Sequence, residues 1–420
     1  MPFSRDRDNE LHRSLRIHVL VFLGLALAVA VLFLQVVDTG FWSPEDIGDL
    51  NKMALAQTTG GLRDAYRPSL AGGYPVHPVF ALEFRAFGLN PRPYYIVNVI
   101  AHLINSLLAY VLIGMLFHSW RSAFMAALLF ALGVGSYGKN LTFVTGISSL
   151  VYAMTVLLGT ILYVLNEKRN AGRWYGTYAL GMYALFVASL FTRGGTFSLI
   201  ASFAFYNLFF RQERGRPVLH TNLIICLTLA IAAIVARVLQ GTTMVASAVD
   251  PGTFLRNLPG YLILMVFPIH QSELLATAPP LVRAIYAMAP YIRVLVGIAI
   301  LSYSLFGLVF GSRALRFYIA WMFAMVVPFA FFRYPADWLN LRFLYLVSVG
   351  FCVLLTTGTL YAFRLLAHRA WRRFVPFVIP VFYVLLSAAL VRQLDHKNEQ
   401  IARLPTTEAR LQEIAAQFAP

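Results

Sequence analysis

Long apolar runs separated by short polar segments recur along the whole chain. The first run covers residues 17–37, and similar runs of roughly 20 residues follow it almost to the end of the sequence. A run of this length crosses the hydrocarbon core of a bilayer as an α-helix, which satisfies its own backbone polar groups. The pattern predicts an all-α, polytopic membrane bundle of about 11 transmembrane helices.

The charges between the apolar runs set the predicted topology. Four basic segments, NEKRNAGR, RQERGRP, SRALR and HRAWRRF, are typical of cytoplasmic loops. They place the N-terminus in the cytoplasm, the C-terminus outside it, and every large polar loop on the outer face. We expect an integral protein of a bacterial inner (plasma) membrane. The predicted spans are 17–37, 94–117, 122–135, 147–165, 174–191, a sixth that ends at residue 210, 222–239, 291–310, 317–332, 343–366 and 375–391.

The predicted domain organisation is one membrane domain, 1–392, followed by a short extracytoplasmic helical tail, 393–420. The membrane domain includes a long first outer loop, 38–93. Further along the membrane domain, residues 258–269 are apolar but too short to span a bilayer comfortably, and they contain Pro259 and Pro268. A crossing there would move the SRALR loop outside, so 250–289 is predicted to be an outer or re-entrant segment.

Composition excludes several classes of protein. The chain is 59% hydrophobic and 12% charged, values that a soluble globular domain does not reach. Its net charge of +16 fits basic cytoplasmic loops, with a smaller part available to an anionic lipid or phosphate. Since no basic segment is long enough for a separate module, no nucleic-acid partner is expected. Cys226 and Cys352 lie in predicted spans, which argues against a disulfide or zinc framework.

The first outer loop is rich in acids. Glu45 and Asp46 are adjacent and follow Pro44. A carboxylate just outside a membrane can act as a general base on a hydroxyl, bind a metal, or simply favour the first turn of a surface helix with Ser43 as N-cap. The residues leave all three readings open. Four of the eighteen acids in the chain lie in this loop: Asp38, Glu45, Asp46 and Asp49.

Cationic side chains accompany these acids on the predicted outer face. Arginine binds phosphate through two parallel N–H groups, although a single arginine there is more often a membrane-interface anchor. Convergence of several cations would suit a lipid phosphate or pyrophosphate. No predicted span holds a central acid, which argues against proton-coupled transport. The cations are Arg63, Arg67, His77, Arg85 and Arg92 in the loop, and Lys139, Arg193, Arg237, Arg333 and Arg342 at helix ends.

The second predicted span carries a polar face. Asn98, His102 and Asn105 are spaced by four and three residues, so they share one side of a helix. In a membrane bundle, such a face most often forms hydrogen bonds between helices. That interpretation is favoured over a binding site.

Two stretches of the sequence resemble a known family. They are YRPSLAGGYPVHPVFALEFRAFGLNPRPYYIVNVIAH and LNLRFLYLVSVG. Together with the acidic pair after the first span, they resemble the GT-C fold membrane glycosyltransferases, in particular the branch related to protein O-mannosyltransferases and their tetratricopeptide-tailed relatives. In that branch an acidic pair, Tyr-Arg-Pro and a Gly-Leu-Asn-Pro turn precede a helix with Asn and His at the positions of Asn98 and His102.

The resemblance implies a GT-C-like fold and an inverting transfer of sugar on the outer face. The donor would be a polyprenyl-phosphate-linked sugar, and the acceptor a glycan, lipid or protein. Asp46 matches the catalytic acid, with Glu45 as the alternate, and Arg342 is a donor-phosphate candidate. No cofactor is certain, a divalent metal ion is possible, and no metal ligand is assigned. The substrate-binding candidates are Arg67, His77, His102, Lys139, Arg193 and Arg342.

The sequence also departs from the family pattern. After the third span the family often has His-Pro and an acid, whereas this chain reads GSYGKNLTF; after the fifth it often has Ser-Lys-Glu, whereas this chain reads FTRGGTF. The missing second acid leaves metal dependence and acceptor type open. The tail is too short for a tetratricopeptide domain. The alternative function is a non-catalytic transporter or assembly factor for lipid-linked glycans.

Overall fold

The protein folds into a bundle of helices, and no strand occurs in the residues that its computed structural model describes. These residues are 3–58, 77–133, 139–192, 195–212, 215, 217–239, 251–266, 289–331, 341–366, 381, 385, 398–399 and 401–418. The helices are α1 Phe3–Phe33, α2 Pro44–Thr58, α3 Pro78–Phe87, α4 Pro91–Phe117, α5 Trp120–Leu132, α6 Lys139–Thr142, α7 Ile147–Arg169, α8 Thr177–Ser189, α9 Gly195–Tyr206, α10 Thr221–Leu239, α11 Pro251–Val266, α12 Ala289–Phe310, α13 Arg313–Ala330, α14 Leu344–Leu366 and α15 Pro405–Phe418.

The predicted all-α membrane bundle is confirmed. Among the described residues, four segments are long and apolar enough to cross a bilayer: Leu15–Asp38, Pro91–Phe117, Val144–Arg169 and Arg313–Ala330. Shorter apolar helices accompany them, among them Trp120–Leu132 and Thr177–Ser189. The number of spans stays a prediction, because most of the predicted span 375–391 lies outside the described residues.

Helix ends differ from the prediction where the sequence lacks a helix breaker. Helix α1 begins at Phe3, well before residue 17, where the first predicted span begins. No glycine or proline interrupts the helix before Gly24, which lies inside the apolar run. Helix α7 continues to Arg169, beyond the predicted end at 165. It stops where Ala171 and Gly172 adopt positive φ angles of 52° and 76°, which a right-handed helix cannot contain.

Helix α4 lies at the centre of the bundle, where it packs against α1, α5 and α7. Small residues let α5 approach closely, since Ala123, Ala126 and Ala127 are all buried. On its other side α5 packs against α14, which in turn packs against α13. The inner helices therefore form one continuous apolar core.

Hydrogen bonds from the polar face of α4 tie this core together. Asn98 Nδ2 donates to the carbonyl of Phe143 at 2.8 Å, and Asn105 Nδ2 donates to that of Leu150 at 2.9 Å. All the polar side chains of this face are fully buried. The prediction of hydrogen bonding between helices is confirmed for Asn105, which bonds α4 to α7, while Asn98 bonds α4 to the segment that leads into α7.

His102 joins three helices. Its Nε2 lies 3.0 Å from the carbonyl of Ala131, which can only accept, so Nε2 carries the proton. Its Nδ1 then accepts from the Tyr345 hydroxyl at 2.7 Å, and the same hydroxyl accepts from Asn105 at 3.2 Å. One tyrosine of α14 therefore satisfies two buried polar groups of α4.

The tail helix lies at the same end of the bundle as the first outer loop. Helix α15 packs on α2; it buries Thr407 and Ile414 and partly buries Leu411, and these residues recur at intervals of four and three. The opposite end contains a buried ion pair, in which both carboxylate oxygens of Glu167 lie within 2.7 Å of Arg211 Nη1. The predicted location of loop and tail on one face agrees with this packing; which face is cytoplasmic stays a prediction.

Helix α11 belongs to the segment predicted to be outer or re-entrant. Its first half lies beside the end of α13, where Asn257 Nδ2 donates to the carbonyl of Ala330 at 3.0 Å. Further along, Ile263 lies close to Gly297, which is well inside α12. The helix therefore enters the bundle from the end at which α13 finishes. Because residues 267–288 lie outside the described residues, the re-entrant path stays a prediction.

Replacement of Tyr345 by Phe tests the buried network. We expect Tyr345→Phe to lower the free energy of unfolding by about 1–3 kcal/mol, because His102 and Asn105 each lose a buried partner. The measurement is thermal unfolding of the purified protein in detergent. Tyr291→Phe is the control, since Tyr291 is 76% exposed. An equal effect of the two substitutions would contradict the assigned role of Tyr345.

Candidate active site at the first-loop helix

Helix α2 begins where the sequence predicts a surface helix. The Glu45 backbone N–H donates to Ser43 Oγ at 3.2 Å, and the Ile47 N–H donates to the Ser43 carbonyl at 3.0 Å. Pro44 takes the first helical position, where its missing N–H costs nothing. Ser43 is thus the N-cap, as predicted, and Glu45 and Asp46 fall in the first turn.

Asp46 is fully buried and holds three hydrogen bonds. Its Oδ1 accepts from the Thr145 N–H at 2.9 Å and from the Thr145 hydroxyl at 2.8 Å. Its Oδ2 accepts a single, longer bond of 3.2 Å from the Val144 N–H. The carboxylate therefore fixes the first-loop helix to the short turn Val144–Gly146 that precedes α7.

Contacts with the bundle hold the turn Val144–Gly146 in place. The Asn98 side chain holds the carbonyl of Phe143, which also accepts from the Gly146 N–H at 3.0 Å. Gly146 packs so closely on the carbonyl of Asn140 that a Cβ there would collide with it. The donors that face Asp46 are consequently positioned by the bundle before the carboxylate reaches them.

Burial dominates the protonation of Asp46. Loss of water around the carboxylate raises its pKa from 3.8 to about 6, although the donors on Thr145 and Val144 and the nearby Arg342 charge act in the opposite direction. A carboxylate with a pKa in this range exchanges a proton close to neutral pH. Asp46 is therefore suited to proton transfer as well as to anchoring.

Arg342 completes the cluster from the start of α14. Its Nη2 lies 2.6 Å from Glu45 Oε2 and donates to Thr145 Oγ1 at 3.3 Å. Its guanidinium carbon lies 4.8 Å from the ring centroid of Phe143, a cation–π distance. The Arg342 side chain is 14% exposed, whereas that of Glu45 is 56% exposed. The two acids therefore differ: Asp46 is enclosed, and Glu45 reaches the surface.

Aromatic residues close the cluster on the first-loop side. The Trp42 indole donates to the carbonyl of Thr142 at 2.8 Å, and its ring meets the Phe143 ring edge-on at 4.7 Å. Tyr95 donates its hydroxyl to the carbonyl of Gly40 at 3.1 Å. These contacts hold the chain just before α2 in place, so the position of Glu45 and Asp46 does not depend on α2 alone.

The structure brings together three of the predicted site residues, Glu45, Asp46 and Arg342. Lys139 begins the short helix α6, which leads into the turn that Asp46 holds. His102 lies inside the bundle with both ring nitrogens bonded to protein groups, so a substrate contact there stays a prediction. Arg67 and Arg193 lie outside the described residues.

His77 precedes α3 as its N-cap residue and makes no side-chain capping bond. It is partly buried, and its Nδ1 has no hydrogen-bond partner among the described residues. Burial lowers its pKa to about 4, so the ring is neutral at physiological pH. A neutral imidazole cannot supply the positive charge that phosphate binding would use, and any substrate contact of His77 stays a prediction.

Glu83 is an acid that the sequence reasoning missed. It is 5% exposed, and neither carboxylate oxygen has a hydrogen-bond partner in the part of the chain that the structure describes. Burial raises its pKa to about 8, so the group is mainly protonated at neutral pH. The signal was present in the sequence: Glu83 lies on the buried stripe of α3 with Phe80 and Phe84, where an apolar residue is expected. Helix α3 packs against α2, α4 and α7, close to the cluster.

Metal binding receives no geometric support within the part of the chain that the structure describes. No group of three or more His, Cys, Asp or Glu side chains could hold an ion there. The divalent metal ion considered from the sequence stays a prediction.

Comparisons with known proteins find similarity only in structure. No protein-family model matches the sequence, and no curated protein matches it. The chain is similar to two crystal structures of ArnT from Cupriavidus metallidurans, a membrane glycosyltransferase of the GT-C fold. The structure bound to undecaprenyl phosphate shares 13% identity at a TM-score of 0.45, and the apo structure 14% at 0.42.

Each comparison covers 91% of this chain and 76% of the ArnT chain. TM-scores below 0.5 do not decide a fold family. The assignment of function therefore depends on the residues of the site.

Substitution of Glu83 tests its burial through pH. A pKa raised from 4.5 to about 8 means that the native state binds the proton more tightly, so stability falls as pH rises through this interval. We expect Glu83→Gln to remove this loss. The advantage of the variant in melting temperature over the wild type should then grow from pH 5 to pH 9. Glu408→Gln, on an exposed position of α15, is the control. A constant difference between Glu83→Gln and wild type at all pH values would contradict the assignment.

Proposed function

We propose that the protein is a membrane glycosyltransferase of the GT-C type. It moves a sugar from a polyprenyl-phosphate-linked donor to an acceptor at the face where the first loop and the tail lie. A first-loop carboxylate acts as general base, and the configuration at the anomeric carbon is inverted. The observation that carries the proposal is the meeting of Glu45, Asp46 and Arg342 around the turn that precedes α7.

This meeting is significant because the sequence separates its members widely. Asp46 and Thr145 are 99 residues apart, and Thr145 and Arg342 a further 197. Two carboxylates and a guanidinium converge at one end of an apolar bundle, where a lipid-linked substrate also presents its polar group. Acid–base chemistry and phosphate binding both need these groups.

Arg342 is the proposed contact for the donor phosphate. The leaving group of the reaction is a polyprenyl phosphate, and it gains negative charge as the glycosidic bond breaks. A guanidinium that is held in place stabilises that charge without having to reorganise. Arg342 meets this requirement, since its carbonyl accepts from Asn140 at 3.2 Å and its side chain lies against Phe143 and Thr145.

Asp46 is the proposed general base. Its Oδ1 is saturated by the two donors of Thr145, whereas Oδ2 holds only the 3.2 Å bond from Val144, so Oδ2 is the oxygen that can take a proton. Its raised pKa matches the task, because a base with a pKa near the working pH is both deprotonated and basic. The carboxylate would accept the proton of the attacking hydroxyl.

The proposed step balances without a further reactant. The acceptor oxygen forms a bond to the anomeric carbon from the side opposite the phosphate, and the bond from that carbon to the phosphate oxygen breaks. The acceptor proton passes to Asp46, and the electron pair of the broken bond remains on the leaving phosphate. Asp46 then returns its proton to water.

Substitution of Asp46 tests the base. In a strain that lacks the gene, glycan analysis of lipid and protein fractions first identifies the product that is lost. We expect Asp46→Asn to reduce its formation by about 10²–10⁴-fold, the contribution of a general base. Asp49→Asn removes an acid one turn further along α2, where Asp49 pairs with Lys52 at 2.6 Å, and it should restore the product.

The pH profile of the wild type gives a second test, which does not depend on folding of the variant. Product formation in membranes should fall about tenfold per pH unit below about pH 6, where Asp46 becomes protonated. As a control for folding, the Asp46→Asn protein must elute as a monodisperse species in detergent; only then is a loss of activity evidence about the base. Full activity of a folded Asp46→Asn variant, or a profile that stays flat to pH 5, would exclude Asp46 as the base.

A further inference from the structure

We propose that the Glu45 carboxylate occupies the position of a lipid-linked phosphate on Arg342, and that the donor phosphate binds by displacing it. The inference rests on the proposed function for the identity of the donor. It gives the two adjacent acids different tasks. Asp46 handles the proton, and Glu45 keeps Arg342 paired until a phosphate arrives.

One partner of this ion pair is fixed. Arg342 is 14% exposed, its backbone is bonded to Asn140, and its guanidinium is held between Phe143 and the Thr145 hydroxyl. None of these contacts involves Glu45. The arginine therefore keeps its position when the carboxylate leaves, and it presents the same N–H groups to the next anion.

The other partner can leave. The side chain of Glu45 is 56% exposed, and its one polar contact among the described residues is the 2.6 Å pair with Arg342 Nη2. The bond that anchors this residue runs through its backbone, from its N–H to Ser43 Oγ. Rotation of the side chain into water consequently breaks one ion pair and leaves the N-cap of α2 intact.

Phosphate and carboxylate compete for the same group. Guanidinium binds either anion through parallel N–H···O bonds. The diester phosphate of the intact donor carries one charge, as the carboxylate does, and the polyprenyl phosphate that is left after transfer carries up to two. An exposed ion pair stabilises a protein only slightly, so the loss of the Glu45 contact opposes phosphate binding weakly. The exchange is therefore favourable for a phosphate that the lipid chain already holds at this surface.

The exchange takes place two hydrogen bonds from the proposed base. Arg342 donates to Thr145 Oγ1, and the Thr145 hydroxyl donates to Asp46 Oδ1. Asp46 has no exposed surface, and Glu45 is its neighbour in the first turn of α2. When phosphate binds to Arg342, the Glu45 side chain moves away and leaves room beside Asp46. The donor therefore binds before the acceptor reaches the base.

Binding measurements with the purified full-length protein test the exchange. The probes are undecaprenyl phosphate in detergent and, separately, inorganic phosphate as a competitor. We expect Glu45→Gln to tighten undecaprenyl phosphate binding by up to about fivefold, because an exposed competing ion pair is removed. Arg342→Gln should weaken it by on the order of tenfold or more, the value of a charged hydrogen bond.

Two controls separate exchange from general charge effects. Asp49→Asn removes the same charge from α2 without contacting Arg342, and it should change affinity by less than about twofold. In an Arg342→Gln background, Glu45→Gln should have no more effect than Asp49→Asn, because the pair is already broken. Each variant is checked by its melting temperature in detergent.

The outcomes decide both parts of the inference. Tighter lipid binding in Glu45→Gln that vanishes in the Arg342→Gln background supports it. Unchanged or weaker lipid binding in Glu45→Gln overturns it. If Arg342→Gln weakens the binding of inorganic phosphate but not that of undecaprenyl phosphate, the claim that a lipid phosphate is the ligand of Arg342 is wrong. No turnover is measured, so the exchange can succeed or fail independently of the glycosyltransferase proposal.

Discussion

The hydrogen bonds between Asp46 and the turn Val144–Gly146 are the contact on which the first outer loop depends. A buried carboxylate without donors would cost several kcal/mol, and three donors offset most of that cost. Because Gly146 and Asn98 hold the turn in place, it presents its N–H groups in one geometry only. Helix α2, and with it Glu45, therefore takes its position from a segment of the bundle rather than from its own sequence.

The same turn connects the proposed site to the fold. Thr145 bonds to Asp46 on one side and to Arg342 on the other, so the acid and the cation share a single hydroxyl between them. Beneath it, Tyr345 of α14 bonds to His102 of α4. Arg342 and Tyr345 are three residues apart, the first in the short turn before α14 and the second in the first turn of α14, so one short segment sets both the buried network and the position of the cation.

The sequence predicted the helical class, most span positions, the N-cap at Ser43 and the polar face of α4, because each depends on local spacing or on a run of apolar residues. It also selected Glu45, Asp46 and Arg342, but only by resemblance. Spacing alone could not show that they meet, since nothing local encodes a contact across some 300 residues. Glu83 was missed because an acid in a predicted loop is expected to be solvated, and its place on the apolar stripe with Phe80 and Phe84 has meaning only once residues 78–87 are recognised as a helix.

The wide separation of the cluster along the chain has a consequence for membrane insertion. Asp46 leaves the ribosome 99 residues before the donors of Thr145, and Arg342 follows those by a further 197. During that interval the carboxylate must remain hydrated at the membrane surface, since no partner for it exists yet. The first loop can therefore dock only after the third and fourth apolar segments have been inserted. Assembly of this cluster is thus a late event in biogenesis. Until then, the surface of the first loop around Asp46 stays open to water and to chaperones.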